Sequence, residues 1–124
     1  MKEVMAILRP SQWGRTKQKL TEAGILAFTQ RRVFGRGKQR GLQYWVAKKK
    51  TDRSEMGISF IPKRIVILVL PESQVNTAVN ALIEANQTGA IGDGKIFVSP
   101  VEEVIQVRTG LNENRVKEMG GAPL

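Results

Sequence analysis

Two strand–helix–strand passages joined by a long loop rich in glycine and cations predict an α+β protein, a ferredoxin-like βαββαβ sandwich. Three observations support this. The apolar run Val4-Met5-Ala6-Ile7-Leu8 and the segment Arg64 to Leu70 are each strand-sized. Val75, Ala78, Val79, Leu82 and Ile83 recur at i, i+3, i+4, i+7 and i+8, the stripe of a helix with one buried face. Between Gly35 and about Ser59 neither period holds.

The elements follow in order. A first strand spans Glu3 to Arg9 and stops at Pro10. Ser11 is placed to cap a helix running to Ala23, with Gly24 in the C′ position that favours positive φ. A second strand is expected over Ile25 to Phe34. Phe60-Ile61-Pro62 brings the chain back, and the third strand, apolar on both faces, should be central. Pro71-Glu72-Ser73 starts the second helix, which runs out at Gln87-Thr88-Gly89. A short strand over Lys95 to Val98, a turn at Pro100 and an extended piece over Ile105 to Thr109 complete the domain, set at residues 1–110. Its loop covers about 37–59, and 111–124 form a tail of low apolar content. With helices on one sheet face only, the other face needs a cover, and an oligomer would supply it.

Composition narrows the chemistry. The chain has 124 residues, no cysteine and no histidine. Disulfides, thiolate metal sites, the usual zinc ligand and the commonest general base are therefore missing. No apolar run approaches the roughly 20 residues that span a bilayer, and the first residues lack a signal-peptide pattern, so the expected location is cytoplasmic. The net charge is +9. Between Arg31 and Arg64 lie 11 basic residues against Asp52 and Glu55, while the remainder is balanced. The excess thus belongs to one segment, which calls for an anionic ligand or partner there.

Two glycine-rich stretches stand out. Gly89-Ala90-Ile91-Gly92-Asp93-Gly94-Lys95-Ile96 nearly matches a phosphate-binding P-loop, but Ile96 replaces the magnesium-binding hydroxyl residue. A helix precedes this loop and a strand follows it, the reverse of a P-loop, so that assignment is rejected. Two readings remain. The glycines can turn backbone N–H groups toward an anion while Lys95 adds a point charge, or the stretch is a tight turn with a surface lysine. Asp93 is more in keeping with a turn former than a general base, since no second carboxylate accompanies it. Gly35-Arg36-Gly37-Lys38-Gln39-Arg40-Gly41 follows a strand and sets three glycines beside three cations, though it fits no dinucleotide fingerprint. Trp13, spaced helically with Leu20, is assigned to the core. Tyr44 and Trp45, bulky in a polar loop beside Lys48, Lys49 and Lys50, suit a contact patch. No stacking array or reading helix supports nucleic-acid binding.

The chain resembles PII signalling proteins from Met1 to Thr109. The resemblance rests on Arg9-Pro10, Gly35 to Gly41, Phe60-Ile61-Pro62-Lys63, the highly specific run Thr88 to Val98, and Val107-Arg108-Thr109-Gly110. Gly35 to Gly41 and Pro100-Val101-Glu102-Glu103 are most similar to the PII-like regulators encoded beside nitrogenase in methanogens and some anaerobic bacteria.

That resemblance implies a trimer, or a mixed assembly with a paralogous PII-like subunit, that binds ATP or ADP between subunits and is not an enzyme. The implied nucleotide site comprises Thr29, Gly35, Gly37, Lys38, Gln39, Val69, Gly92, Asp93, Gly94, Lys95 and Arg108, with Thr29 and Val69 near the base. Gln39 would help hold Mg²⁺, and Gln39, Arg40, Gly41 and Lys63 would meet 2-oxoglutarate. Tyr44, Trp45, Lys48, Lys49, Lys50 and Arg53 would form the docking loop, with nitrogenase as partner or, alternatively, an ammonium transporter. Two departures are visible. Gln106 stands where many PII proteins carry a second arginine. The loop is longer than usual, and Tyr44 falls too early for uridylylation, so regulation by ligands is expected.

Overall fold

The structure is a computed structural model that describes residues 1–35 and 60–113. β1 (Lys2–Leu8) leads through a 3₁₀ turn (Pro10–Gln12) into α1 (Trp13–Glu22). β2 (Thr29–Gly35), β3 (Ile61–Leu70), α2 (Glu72–Asn86) and β4 (Gly94–Pro100) follow. The four strands form one antiparallel sheet in the order β2-β3-β1-β4. The α+β sandwich anticipated from the sequence is therefore present, with β3 and β1 at its centre.

Alternation along the strands divides the sheet into two faces. Val4, Ala6 and Leu8 of β1 and Val66, Leu68 and Leu70 of β3 are buried beneath the helices. Leu20 of α1, Ala78, Ala81 and Leu82 of α2, and Ile25 complete this core. One polar link crosses it: Asn86 Nδ2 donates to Thr16 Oγ1 at 3.0 Å and to Leu82 O at 2.9 Å, tying α2 to α1. The opposite face presents Met5, Ile7, Ile65, Ile67 and Phe97, with no helix over it among the described residues.

Several boundaries differ from the sequence reading, each for a local reason. Ser11 lies inside the 3₁₀ turn and makes no cap, so α1 begins at Trp13. The predicted Gly24 C′ is correct, at φ 82°. Gly24 N–H donates to Thr21 O and Ile25 N–H to Leu20 O, a Schellman closure. That closure draws Ile25 into the core as the hydrophobic partner of the helix end, and β2 starts only at Thr29. On α2 the buried face is turned toward Ala81 and Ala85, and Ile83 is 40% exposed. The small alanines of that face are buried, and the bulkier Ile83 is turned aside. Ile105 to Thr109 is not extended throughout. Ile105 bridges Asn112, and residues 107–109 form a turn.

Candidate functional site

The loop between α2 and β4 is held by Asp93. Its Oδ2 accepts the N–H groups of Thr88 at 2.7 Å and Gly89 at 2.9 Å, and its Oδ1 accepts the Thr88 hydroxyl at 2.5 Å. The hydroxyl oxygen accepts Ala90 N–H at 3.2 Å. Arg9, at the end of β1, completes the arrangement with an ion pair to Asp93 Oδ1 at 3.3 Å and a hydrogen bond to Ile91 O at 2.8 Å. The Thr88 hydroxyl and N–H hold the Asp93 carboxyl below its ordinary value against the opposing effect of desolvation, with lesser help from Gly89 N–H and Arg9. Asp93 is thus the turn former the sequence suggests, and its carboxylate is committed to the loop's own backbone.

Gly94 shows why this loop needs glycine. Its φ is 117°, and an added Cβ would lie 2.2 Å from Ile7 O, inside the β1–β4 ladder. Gly92, at φ 102°, turns the chain just before it. Lys95 follows in register with Ile7, exposed on the helix-free side of the sheet. With Arg9 and the N–H groups of Thr88, Gly89 and Ala90 engaged within the loop, Lys95 is the cation displayed beside it.

The remaining expected ligands fall into two neighbourhoods. Gly35 lies against Lys63, so that a Cβ added at Gly35 would be only 3.5 Å from Lys63 Cγ. Both occupy the same end of the sheet as Gly94, which pairs with Leu8 opposite Arg64. Thr29 pairs with Ile67, and Val69 with Glu3, toward the other end. Strand spacings put each of them roughly 17–19 Å from Gly94. Arg108 sits in the exposed turn after β4, and the chain enters that segment from the Val69 end, where Val101 N–H donates to Met1 O at 3.1 Å. Gly37, Lys38, Gln39, Arg40, Gly41, Tyr44, Trp45, Lys48, Lys49, Lys50 and Arg53 lie outside the described residues.

Gln106 is 2% exposed. Its side-chain oxygen accepts the Thr109 hydroxyl at 3.0 Å, and its backbone oxygen accepts Gly110 N–H at 2.7 Å. The glutamine is therefore built into the turn that carries Arg108. Sequence reasoning gives Arg9 no role at this loop, because its partner is 84 positions away. A strand end followed by proline offers no sign of it.

Most of the chain carries the signature of a known regulatory class. It matches the model of nitrogen regulatory protein P-II over residues 1–111. It belongs to the P-II family of regulatory signalling proteins, whose members are trimeric. It is 40% identical over 113 residues to the nitrogen fixation nifHD region GlnB-like protein 2 of Methanobacterium ivanovii, covering 88% of this chain and 93% of that protein. The like-named protein of Methanococcus maripaludis is 41% identical with the same coverage. Nitrogen regulatory protein P-II of Nostoc punctiforme is 43% identical, covering 89% and 94%. Nitrogen regulation is the function these relationships define, with relatives named for a nitrogen-fixation region. Among the described residues no helix is long and apolar enough to cross a membrane.

Proposed function

We propose that the chain is a cytoplasmic sensor that binds ATP or ADP and 2-oxoglutarate and controls nitrogenase through its basic loop. The observation that carries this reading is the loop Thr88–Lys95. Asp93, Thr88 and Arg9 fix its backbone, and Gly94 packs it directly on β1, leaving Lys95 displayed beside it. Such a rigid, cationic, glycine-rich turn is suited to phosphates.

The two neighbourhoods of ligand residues fit a site made by two chains. One chain would contribute Gly35, Gly92, Gly94, Lys95 and Lys63, together with Gly37, Lys38 and Gln39. Its neighbour would contribute Thr29, Val69 and Arg108. Asp93 serves this site by holding the loop. Mg²⁺ would be carried by the nucleotide and Gln39, and 2-oxoglutarate by Gln39, Arg40, Gly41 and Lys63. The apolar face of Met5, Ile7, Ile65, Ile67 and Phe97 would be covered in the trimer. Ligands would act by differential affinity for two arrangements of the basic loop, one able to dock and one not. In the docking arrangement Tyr44, Trp45, Lys48, Lys49, Lys50 and Arg53 meet an acidic surface.

Calorimetric titration of MgATP with and without 2-oxoglutarate tests the sensor. Mutual strengthening of the two ligands is expected, and failure of both to bind overturns the proposal. Identity does not separate the nifHD-region relatives, at 40–41%, from a plain P-II protein at 43%. An ammonium transporter is therefore the second candidate partner. Co-sedimentation with transporter-bearing membranes that is lost on adding 2-oxoglutarate, without inhibition of nitrogenase, would select it.

A further inference from the structure

Outside the nucleotide site, the helix side of β2 and β3 carries an arrangement that the fold itself does not need. Arg32 and Arg64 are direct cross-strand partners and project from the same face. Like charges so placed oppose sheet formation, and among the described residues the ion pairs are Arg9–Asp93 and Lys19–Glu22, so no described carboxylate pairs with either arginine. Arg64 is held in place: its guanidinium stacks over Trp13 at 5.4 Å and donates to Gln30 Oε1, while its Nε is buried without a partner. Trp13 is itself fixed by an edge-to-face contact with Phe28 at 5.7 Å. The next pair along the same face is Phe34 with Pro62, and Phe34 is 73% exposed. Phe60, just before β3, is 62% exposed.

Charges on an edge strand can serve simply to block unwanted strand pairing. That role accounts for neither an arginine opposite another arginine nor a bare phenylalanine beside them. We propose that Arg32, Arg64, Phe34 and Pro62 form a rigid docking ledge for an acidic surface of a protein partner. The two guanidiniums would receive carboxylates, and Phe34 would seat in an apolar pocket. An exposed phenylalanine beside a proline suits an apolar protein pocket better than an extended stack of nucleic-acid bases. In the sequence the ledge residues stand just before and just after the loop of about 37–59, so the ledge would add a fixed anchor to the contacts that loop makes. It rests on the reading that the partner binds through this segment, but its residues belong to the folded body.

The test uses full-length R32E, F34S and a variant with Tyr44, Trp45 and Lys48 to Lys50 all replaced by alanine. Each is titrated with the catalytic nitrogenase component, with MgATP binding measured in parallel. R32E and F34S should each weaken docking about tenfold or more with MgATP affinity unchanged. R32E should also melt at the same temperature or higher, because the new carboxylate would face Arg64 across the strands. Full docking by both R32E and F34S overturns the ledge, whatever the alanine variant does. If the wild type does not bind nitrogenase, the partner assignment fails, and the ledge is judged with poly-L-glutamate and duplex DNA as probes. Glutamate-induced amide shifts centred on residues 30–34, Lys63 and Arg64 support it. Absence of those shifts, or stronger binding of DNA through the same residues, overturns it.

Discussion

Replacing Gly94 with alanine should do more damage than any other single-methyl change in the loop between α2 and β4. The new Cβ would sit 2.2 Å from Ile7 O and 3.2 Å from both Ile7 C and Leu8 Cδ2. The backbone carbonyl cannot swing aside, because Ile7 lies in a strand paired on both edges. Relief requires β4 to part from β1 by more than an ångström at Gly94. The positive φ adds about 1–3 kcal/mol of strain, and each ladder hydrogen bond lost about 1 kcal/mol. The sum is about 3–5 kcal/mol, or a fall in Tm of about 10–20 °C for a chain of this size. Gly89 provides the control. It also has positive φ, 86°, but a Cβ there meets nothing within 4 Å, so Gly89→Ala should lose only about 1–2 kcal/mol. Thermal unfolding of both variants at one protomer concentration separates collision from conformational strain. If Gly94→Ala melts within about 3 °C of Gly89→Ala, the claimed contact with β1 is wrong.

Further outcomes follow from the same geometry. Asp93 has a folded pKa below its ordinary 3.8, so its contribution to stability is complete above that value and fades as pH falls through the lowered one. Asp93→Asn should flatten the acid limb of the stability profile below about pH 4 and speed amide exchange at Thr88 and Gly89; an unchanged limb would refute this. Thr16→Val removes the buried acceptor of Asn86 and should cost about 1–2 kcal/mol by urea unfolding, with little further loss when Asn86→Leu is added. Lys95→Ala and Arg108→Ala should each weaken MgATP by about tenfold to a hundredfold in calorimetry without lowering Tm. Normal affinity in both would remove these residues from the site.

How much of this is legible in the sequence depends on how far apart the interacting residues lie. Gly24 ends α1 as expected because a helix stop is written in adjacent residues. The start of β2 is harder to place, because Ile25 looks like a strand residue until its closure onto Leu20 O is seen. On α2, periodicity locates the helix, but the larger apolar residues suggest a face centred nearer Ile83 than the alanines that are buried. The glycine loop announces itself, whereas Arg9, which pins it, does not, since only pairing of β1 with β4 brings them together. Gln106 stands out as a missing arginine, but its burial under the Arg108 turn depends on the bridge between Ile105 and Asn112.

The register of the sheet, with Lys95 toward one end and Val69 toward the other, turns the proposed two-chain site into a question of stoichiometry. A chain damaged only at Lys95 still lends its neighbour an intact Arg108, and the converse variant still lends an intact loop. Pure trimers of either variant would contain no sound site. Co-assembled in equal amounts and at random, they would regain roughly one sound site in four. Recovery of ligand binding on mixing two inactive proteins would therefore count the chains at each site. The same arithmetic means that a cell making two such paralogous chains sets the number of each kind of site by their ratio.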